Sequence, residues 1–190
     1  MFIDFVTLLL LNMAAGLLIL SHFVYLGLDA ADQKAWAPGF AISGLVGLLG
    51  GIHMVWTWPL PGPYNSAWGE MSVLLSALFL GAALACAKGW PLHSLAVYAF
   101  LAGLGAVVLG VRIIHLRLSS APLLTGIGFL LTGGAGVLAC PALALRSNRR
   151  VRLVGALVLV AAAAIWAFIG LGGIWMHMEV FAKWHPATMR

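Results

Sequence analysis

Three histidines stand at similar points of three long apolar stretches of the sequence. His53, His115 and His177 are equally spaced along the chain, in "LLGGIHMVW", "LGVRIIHLR" and "GGIWMHMEV". Neutral imidazole is a ligand that zinc, copper and iron all accept. Because ionisable side chains inside membrane-spanning segments are rare and usually functional, these three residues are the first candidates for a binding site.

Further groups that can bind a metal fall at the same depth of the apolar stretches. The thioether of Met54 adjoins His53 and favours copper(I), and the carboxylate of Glu70 lies at the start of the next stretch. Copper is therefore the preferred transition metal, although zinc held by three protein ligands with an open fourth position would also fit. The predicted metal ligands are His53, Met54, Glu70, His115 and His177.

Haem b is the alternative cofactor. Two of the histidines would supply its axial ligands, and Arg112, one helical turn before His115, would bind a propionate as the cofactor-binding residue. A purely structural interpretation also stays open. Histidine and arginine are stable at membrane interfaces, and Glu70 could form an ordinary ion pair with Arg112.

The composition excludes a water-soluble domain. Hydrophobic residues make up 63% of the chain and charged residues 8%, whereas soluble domains carry roughly a quarter charged residues. Such a chain cannot cover a water-facing surface, so we expect the lipid bilayer to cover it. The net charge of +5 resides largely in a short loop between apolar stretches and gives no reason to expect a nucleic-acid partner.

The apolar residues form continuous runs that predict transmembrane helices. A helix crosses the hydrocarbon core with about 20 apolar residues, and the runs lack the alternation of a membrane β-barrel. The connections are too short for a soluble domain. We therefore predict an all-α integral membrane six-helix bundle that forms one domain over residues 1–190, with helices at about 3–28, 37–58, 68–87, 92–115, 121–145 and 153–180.

The basic residues predict how this bundle is oriented. The cluster "RSNRRVR" at 146–152 should lie in the cytoplasm under the positive-inside rule, which places both termini outside a cell (inner or plasma) membrane. Asp4 stands where a signal peptide carries positive charge, so we expect the first helix to be retained. Cys86 and Cys140 fall near the cytoplasmic side and are expected to be reduced thiols.

Small residues indicate where helices approach one another. Gly44, Gly47 and Gly51 follow at helical spacing in the second run and predict close packing. A lane of small residues in the fifth run is either a packing face, which we favour, or a narrow polar groove; it consists of Thr125, Gly128, Thr132 and Gly136. Tryptophans predict interfacial belts, with Trp56, Trp58, Trp68, Trp175 and Trp184 at one side and Trp36 and Trp90 at the other.

A loop rich in proline separates the second and third runs. Pro59, Pro61 and Pro63 cannot continue a helix. The following segment, Tyr64-Asn65-Ser66, offers an N-cap for the third helix.

Several motifs resemble those of a family of small prokaryotic membrane proteins catalogued as a domain of unknown function. The motifs are "HMVWTWPLP" (53–61), "YNSAWGE" (64–70), "GVRIIHL" (110–116) and "APLLTGIGFLLTGG" (121–134). The resemblance covers about residues 40–140 and leaves His177 outside. It implies a multi-helix membrane fold and assigns no activity and no catalytic residue.

These observations favour a membrane protein with a copper, other metal or haem site near the extracytoplasmic face. It would serve redox chemistry or metal handling, as a homo-oligomer or with other membrane subunits. Three alternatives stay open: a carrier or channel for a small solute with the lane in the fifth run as its path, a structural membrane subunit, and a zinc-dependent membrane hydrolase. The sequence leaves open whether the protein is an enzyme.

Overall fold

The computed structural model describes residues 5–182, and this part of the chain is helical without strands. Asp4 and Trp184 lie outside the described residues. A π-helical turn, Phe23–Gly27, continues α1, a 3-10 turn, Lys34–Trp36, precedes α2, and a π-helical segment, Asn65–Glu70, leads into α3. The helices are α1 (Phe5–His22), α2 (Ala37–Thr57), α3 (Met71–Lys88), α4 (His93–Leu116), α5 (Pro122–Val137), α6 (Ala139–Ala144) and α7 (Arg149–Phe181).

Among the described residues, five continuous helical stretches are long and apolar enough to cross a membrane. They are Phe5–Gly27, Lys34–Thr57, Asn65–Lys88, His93–Leu116 and Arg149–Phe181. The predicted all-α class is confirmed, and five of the six predicted runs correspond to these stretches.

The fifth predicted run, 121–145, is not one continuous helix. It divides at Leu138 into α5 and α6. Pro141 has no N–H to donate to the carbonyl of Val137 four residues earlier, so the regular hydrogen-bond ladder cannot pass this point. With its 16 residues, α5 is about 24 Å long, which is shorter than the roughly 30 Å of a hydrocarbon core.

The six longer helices form a closed ring in chain order. Each of α1 to α4 packs against the next helix, and α7 packs against both α5 and α1. The short α6 lies mainly against α4. We call the end of the ring that holds His53, His115 and His177 the histidine end, and the end that holds the loop 146–152 the arginine end.

Glycines let α4 and α5 bring their backbones together. A Cβ atom added at Gly103 would lie 2.5 Å from the carbonyl oxygen of Gly133, and one added at Gly133 would lie 2.6 Å from that of Gly103. Gly110 and Gly126 form the same reciprocal pair, at 2.9 and 2.8 Å. The order of the two pairs shows that α4 and α5 are antiparallel, with no room for a side chain between them.

The small residues of α2 face α3, as predicted. Added Cβ atoms would meet Leu80 at Gly44, Ser76 at Gly47 and Val73 at Gly51. Close to Gly47, the Asn12 side-chain amide of α1 donates to the carbonyl oxygen of Ser43 over 2.9 Å. A polar contact therefore joins α1 to α2 where α2 also meets α3.

The proline-rich loop is held differently from the prediction. Asn65 is fully buried, and its side chain both accepts from the backbone N–H of Leu60 at 3.1 Å and donates to the carbonyl of Leu60. The helical segment begins without a side-chain cap, so the predicted N-cap role is wrong for Asn65. Its amide hydrogen-bonds to the preceding loop at Leu60 instead of capping the helical segment that follows.

Three aromatic side chains, which we call the aromatic plug, fill the middle of the ring. Trp166 is 0% exposed and contacts the rings of Phe129 and Trp68, with centroid distances of 5.1 and 5.6 Å. Its indole N–H donates to the Thr132 hydroxyl over 3.0 Å. Trp68 is half-buried and packs inwards on this cluster, so it does not face outwards from the ring as Trp56 and Trp175 do.

Candidate functional site

Two of the three predicted histidine ligands lie beside the start of α1. The His53 ring on α2 packs against the Phe5 ring with their centroids 4.7 Å apart. On α7, the Nδ1 atom of His177 lies 3.3 Å from the Thr7 hydroxyl. Because α1 packs between α2 and α7, the two imidazoles flank the same helix.

His115 lies elsewhere on the ring. It is exposed on α4, and its Nδ1 atom is 3.3 Å from a guanidinium nitrogen of Arg112, which is exposed as well. The ring neighbours of α4 are α3 and α5, so helix packing separates this pair from α1. The predicted sharing of one helix face by Arg112 and His115 is confirmed.

Met54 and Glu70 also point to different environments. Met54 is 0% exposed and packs at Gly69, where an added Cβ would meet its side chain at 3.0 Å. Glu70 is exposed at the end of the π-helical segment. Within residues 5–182, the side chains that form an ion pair are Arg152 and Asp29. Glu70 and Arg112 therefore do not form the ion pair that the structural interpretation of the sequence allowed.

Within residues 5–182, no three histidine, cysteine, aspartate or glutamate side chains are grouped so that they could hold a metal ion. His53 and His177 share a neighbour, whereas His115, Glu70 and Met54 face other surroundings. A copper, other metal or haem site built from these residues stays a prediction.

The lane of small residues on α5 is a packing face. An added Cβ at Gly128 would lie 2.8 Å from the Trp166 ring, and one at Gly136 would lie 2.7 Å from the carbonyl oxygen of Ala99. Thr132 donates to Gly128 and accepts from Trp166, and Thr125 accepts from Ser119. Helices α7 and α4 thus pack against the two glycines of the lane, while Thr132 and Gly136 also line an apolar cavity.

An apolar cavity lies inside the ring, between the aromatic plug and the arginine end. Its volume is about 570 Å³, and its walls come from α1, α3, α4, α5, α6 and α7, with Phe40 contributed by α2. Of the described residues that line it, only Thr132 and Arg150 have polar side chains. The Thr132 hydroxyl already has two hydrogen-bond partners, so Arg150 is the polar group left to a ligand.

The cavity is about as deep as one leaflet of a bilayer. On α7 its lining extends from Arg150 to Leu159, and on α3 from Met71 to Ala82. At 1.5 Å per residue, these stretches measure roughly 14–17 Å, close to half of the roughly 30 Å hydrocarbon core.

The exposed lining residues show where the cavity opens. All of them lie on the segment around α6 or on the first two turns of α7, and they are Leu138, Pro141, Leu145, Arg150 and Val154. We call this opening the α6–α7 portal. It adjoins the break between α5 and α6, where the wall of the ring is shortest.

Neighbouring arginines at the arginine end have partners within the chain. Arg149 donates to the Tyr25 hydroxyl over 2.9 Å, and Arg152 pairs with Asp29 at 2.9 Å and donates to the carbonyl of Arg146. In the described part of the chain, the Arg150 guanidinium has neither a hydrogen-bond nor an ion-pair partner. The one charged group that lines the cavity is thus unpaired there.

Sequence reasoning missed this cavity, although the sequence contains signals for it. Pro141 marks the helix break, and Trp166 stands in the middle of an alanine-rich run, far from any interface. From the sequence, Arg150 contributes only to the predicted orientation, as one of the arginines at 146–152. What could not be found from the sequence is that α7 returns to α1, because ring closure depends on packing.

The chain matches the family described as "Protein of unknown function (DUF981)" over residues 1–180, and it belongs to that family. The match is longer than the resemblance over residues 40–140, and it includes His177. No curated protein matches the chain, and no solved structure does.

Proposed function

We propose that this member of the DUF981 family is an integral protein of the cell membrane that binds the hydrocarbon tail of a membrane amphiphile inside its helix ring. The observation that carries the proposal is the apolar cavity of about 570 Å³. Its volume falls within the range of roughly 300–1,000 Å³ that is typical of ligand pockets. Binding, presenting or modifying such an amphiphile are the activities that this cavity would serve.

The outer surface supports placement in a bilayer. Large apolar side chains point outwards, among them Leu101 at 65% and Phe168 at 71% exposed. Trp56 and Trp175, both 82% exposed, would lie in the interfacial belt at the histidine end. We propose six crossings, of which the fifth is the broken pair α5 and α6.

The orientation follows from the arginine cluster, which we propose lies in the cytoplasm, with both termini outside. Labelling of a Ser147→Cys variant, in a background without Cys86 and Cys140, should require access from the cytoplasmic side. Labelling by an impermeant reagent from outside intact cells would reverse this orientation.

A hydrocarbon tail is the ligand that these walls would select. Water needs two to four polar partners to occupy a cavity, and the described lining offers Arg150 at the portal and a hydroxyl at Thr132 that is already bonded. A tail that enters from the bilayer exchanges one apolar environment for another, so close packing against these walls, and not removal from water, would favour its binding. The portal would admit the tail sideways from the bilayer.

The test is to fill the cavity with a side chain. Ala99 lines the cavity on α4, whereas Leu101 on the same helix faces outwards. We expect Ala99→Phe to weaken the binding of a fluorescent fatty acid to the purified protein by tenfold or more, which is about 1.4 kcal/mol. Leu101→Phe, the matched control, should bind as the unmodified protein does.

Equal binding by the two variants, both with unchanged melting temperatures, would contradict a tail site in the ring. If Ala99→Phe has a much lower melting temperature than the unmodified protein, Ala82→Phe would replace it in the test. This variant adds the same ring to the α3 wall of the cavity.

A metal or haem site at the histidine end is the second candidate, and redox chemistry or metal handling would then be the activity. The observation that favours it is the position of His53 and His177 on either side of α1. Further ligands would have to come from a substrate, a second copy or another subunit.

A further inference from the structure

We propose that the amphiphile is an anionic lipid of the surrounding leaflet and that Arg150 binds its headgroup at the α6–α7 portal. This inference rests on the proposed function, because it needs a tail in the cavity. It adds the chemical class of the ligand and the residue that selects it. The shared chemistry of the headgroup is a carboxylate or phosphate oxygen that accepts hydrogen bonds from a guanidinium.

Arg150 is suited to this role by its position and by its lack of partners. It lines the cavity where the cavity opens, and over residues 5–182 its guanidinium is unpaired. Guanidinium presents donors in a planar fork that matches the two oxygens of a carboxylate or phosphate. An anion held there would satisfy Arg150 and keep its tail directed into the apolar space.

The neighbouring arginines have a different task. Arg149 stacks near and donates to Tyr25, which follows α1, and Arg152 pairs with Asp29 in the next loop. Both contacts join the start of α7 to the end of the first membrane segment. These contacts fix the start of α7 beside the portal. The guanidinium groups of Arg149 and Arg152 therefore already have partners, whereas that of Arg150 has none in the described residues.

The positive charges around Arg150 also favour the binding of an anion. The first turn of α7 carries Arg149, Arg150 and Arg152, and cations are unfavourable at a helix N-terminus because of the helix dipole. Asp29 compensates one of the three charges. An anionic headgroup beside Arg150 would compensate another.

The portal lets such a lipid enter without leaving the bilayer. Leu138 and Leu145 on the α6 side and Val154 on the α7 side are exposed and line the cavity. These apolar rims would contact the tail while the headgroup remains at the level of Arg150. The ligand is therefore drawn from the leaflet at the arginine end.

The experiment compares two lipids with identical acyl chains, phosphatidylglycerol and phosphatidylcholine, bound to the purified full-length protein and counted by native mass spectrometry. We expect the unmodified protein to retain more phosphatidylglycerol than phosphatidylcholine. Arg150→Gln should weaken phosphatidylglycerol binding by about tenfold, the effect of losing a charge-assisted hydrogen bond. Phosphatidylcholine carries the same phosphate oxygens but its own choline cation offsets their charge, so its binding should weaken much less and the ratio of the two lipids should fall. Arg150→Lys should restore part of the preference.

Arg146→Gln is the matched control, because Arg146 carries the same charge just before α7 but does not line the cavity. We expect it to retain the preference. An equal loss in Arg146→Gln and Arg150→Gln, or no preference in the unmodified protein, would overturn the assignment. An unchanged preference in Arg150→Gln would overturn it too.

The outcomes separate this inference from the proposed function. If Ala99→Phe loses both lipids while Arg150→Gln keeps the ratio, the cavity binds a tail and the headgroup assignment is wrong. If Ala99→Phe keeps both lipids, the tail site itself is wrong.

Discussion

At the residue scale, the candidate ligands divide between two places on the ring. His53 and His177 lie against the same helix, and Arg112 and His115 share a face of another. Spacing along the chain placed all of them at one end of the bundle. It could not show which way each side chain points around the ring, because that depends on the order in which the helices pack.

The metal prediction is checked at these residues. If the protein binds a metal or haem at the histidine end, we expect the metal content of the purified protein to fall in His53→Ala and in His177→Ala, since their imidazoles flank α1. Elemental analysis and a visible spectrum provide the measurement. Full retention of metal in both variants would leave the two histidines with a packing role against Phe5 and Thr7.

At the element scale, the apolar runs predicted nearly every helix, since burial in lipid requires continuous apolar sequence. The exception is the run at 121–145, where apolar character continues but the backbone ladder cannot, because of Pro141. A reading of apolarity alone therefore missed the break that forms one side of the portal. The small residues of α2 did indicate the contact with α3.

The contact between α4 and α5 allows a sharp test of the helix packing. Gly103→Ala would place a methyl group against the carbonyl oxygen of Gly133, whereas nothing lies within 4 Å of an added Cβ at Gly134. Overpacking of this kind costs roughly 1–3 kcal/mol, so Gly103→Ala should lower the melting temperature in detergent. Gly134→Ala, the control on the facing helix, should leave it unchanged or slightly raised, because alanine favours helix.

The reverse order of melting temperatures, or no difference between the two variants, would show that α4 and α5 are not packed backbone to backbone. The ring would then be open between these two helices, and the cavity would lose one wall.

At the scale of the whole molecule, the helices enclose a space that no single segment encodes. The aromatic plug closes the ring towards the histidine end, and the apolar cavity occupies the other half up to Arg150. Composition required an apolar exterior, but an interior cavity arises only because α7 packs against both α1 and α5. The central claim is that a lipid tail occupies this interior.

The most direct measurement is photolabelling with a fatty acid that carries a diazirine at the end of its tail, followed by mass spectrometry of the labelled peptides. A tail in the cavity would place the diazirine near the plug. We predict saturable labelling of inward-facing residues such as Leu74, Leu78 and Leu159, and loss of that labelling in Ala99→Phe. Labelling confined to outward-facing residues such as Leu49 and Phe168, and unchanged in Ala99→Phe, would contradict the account.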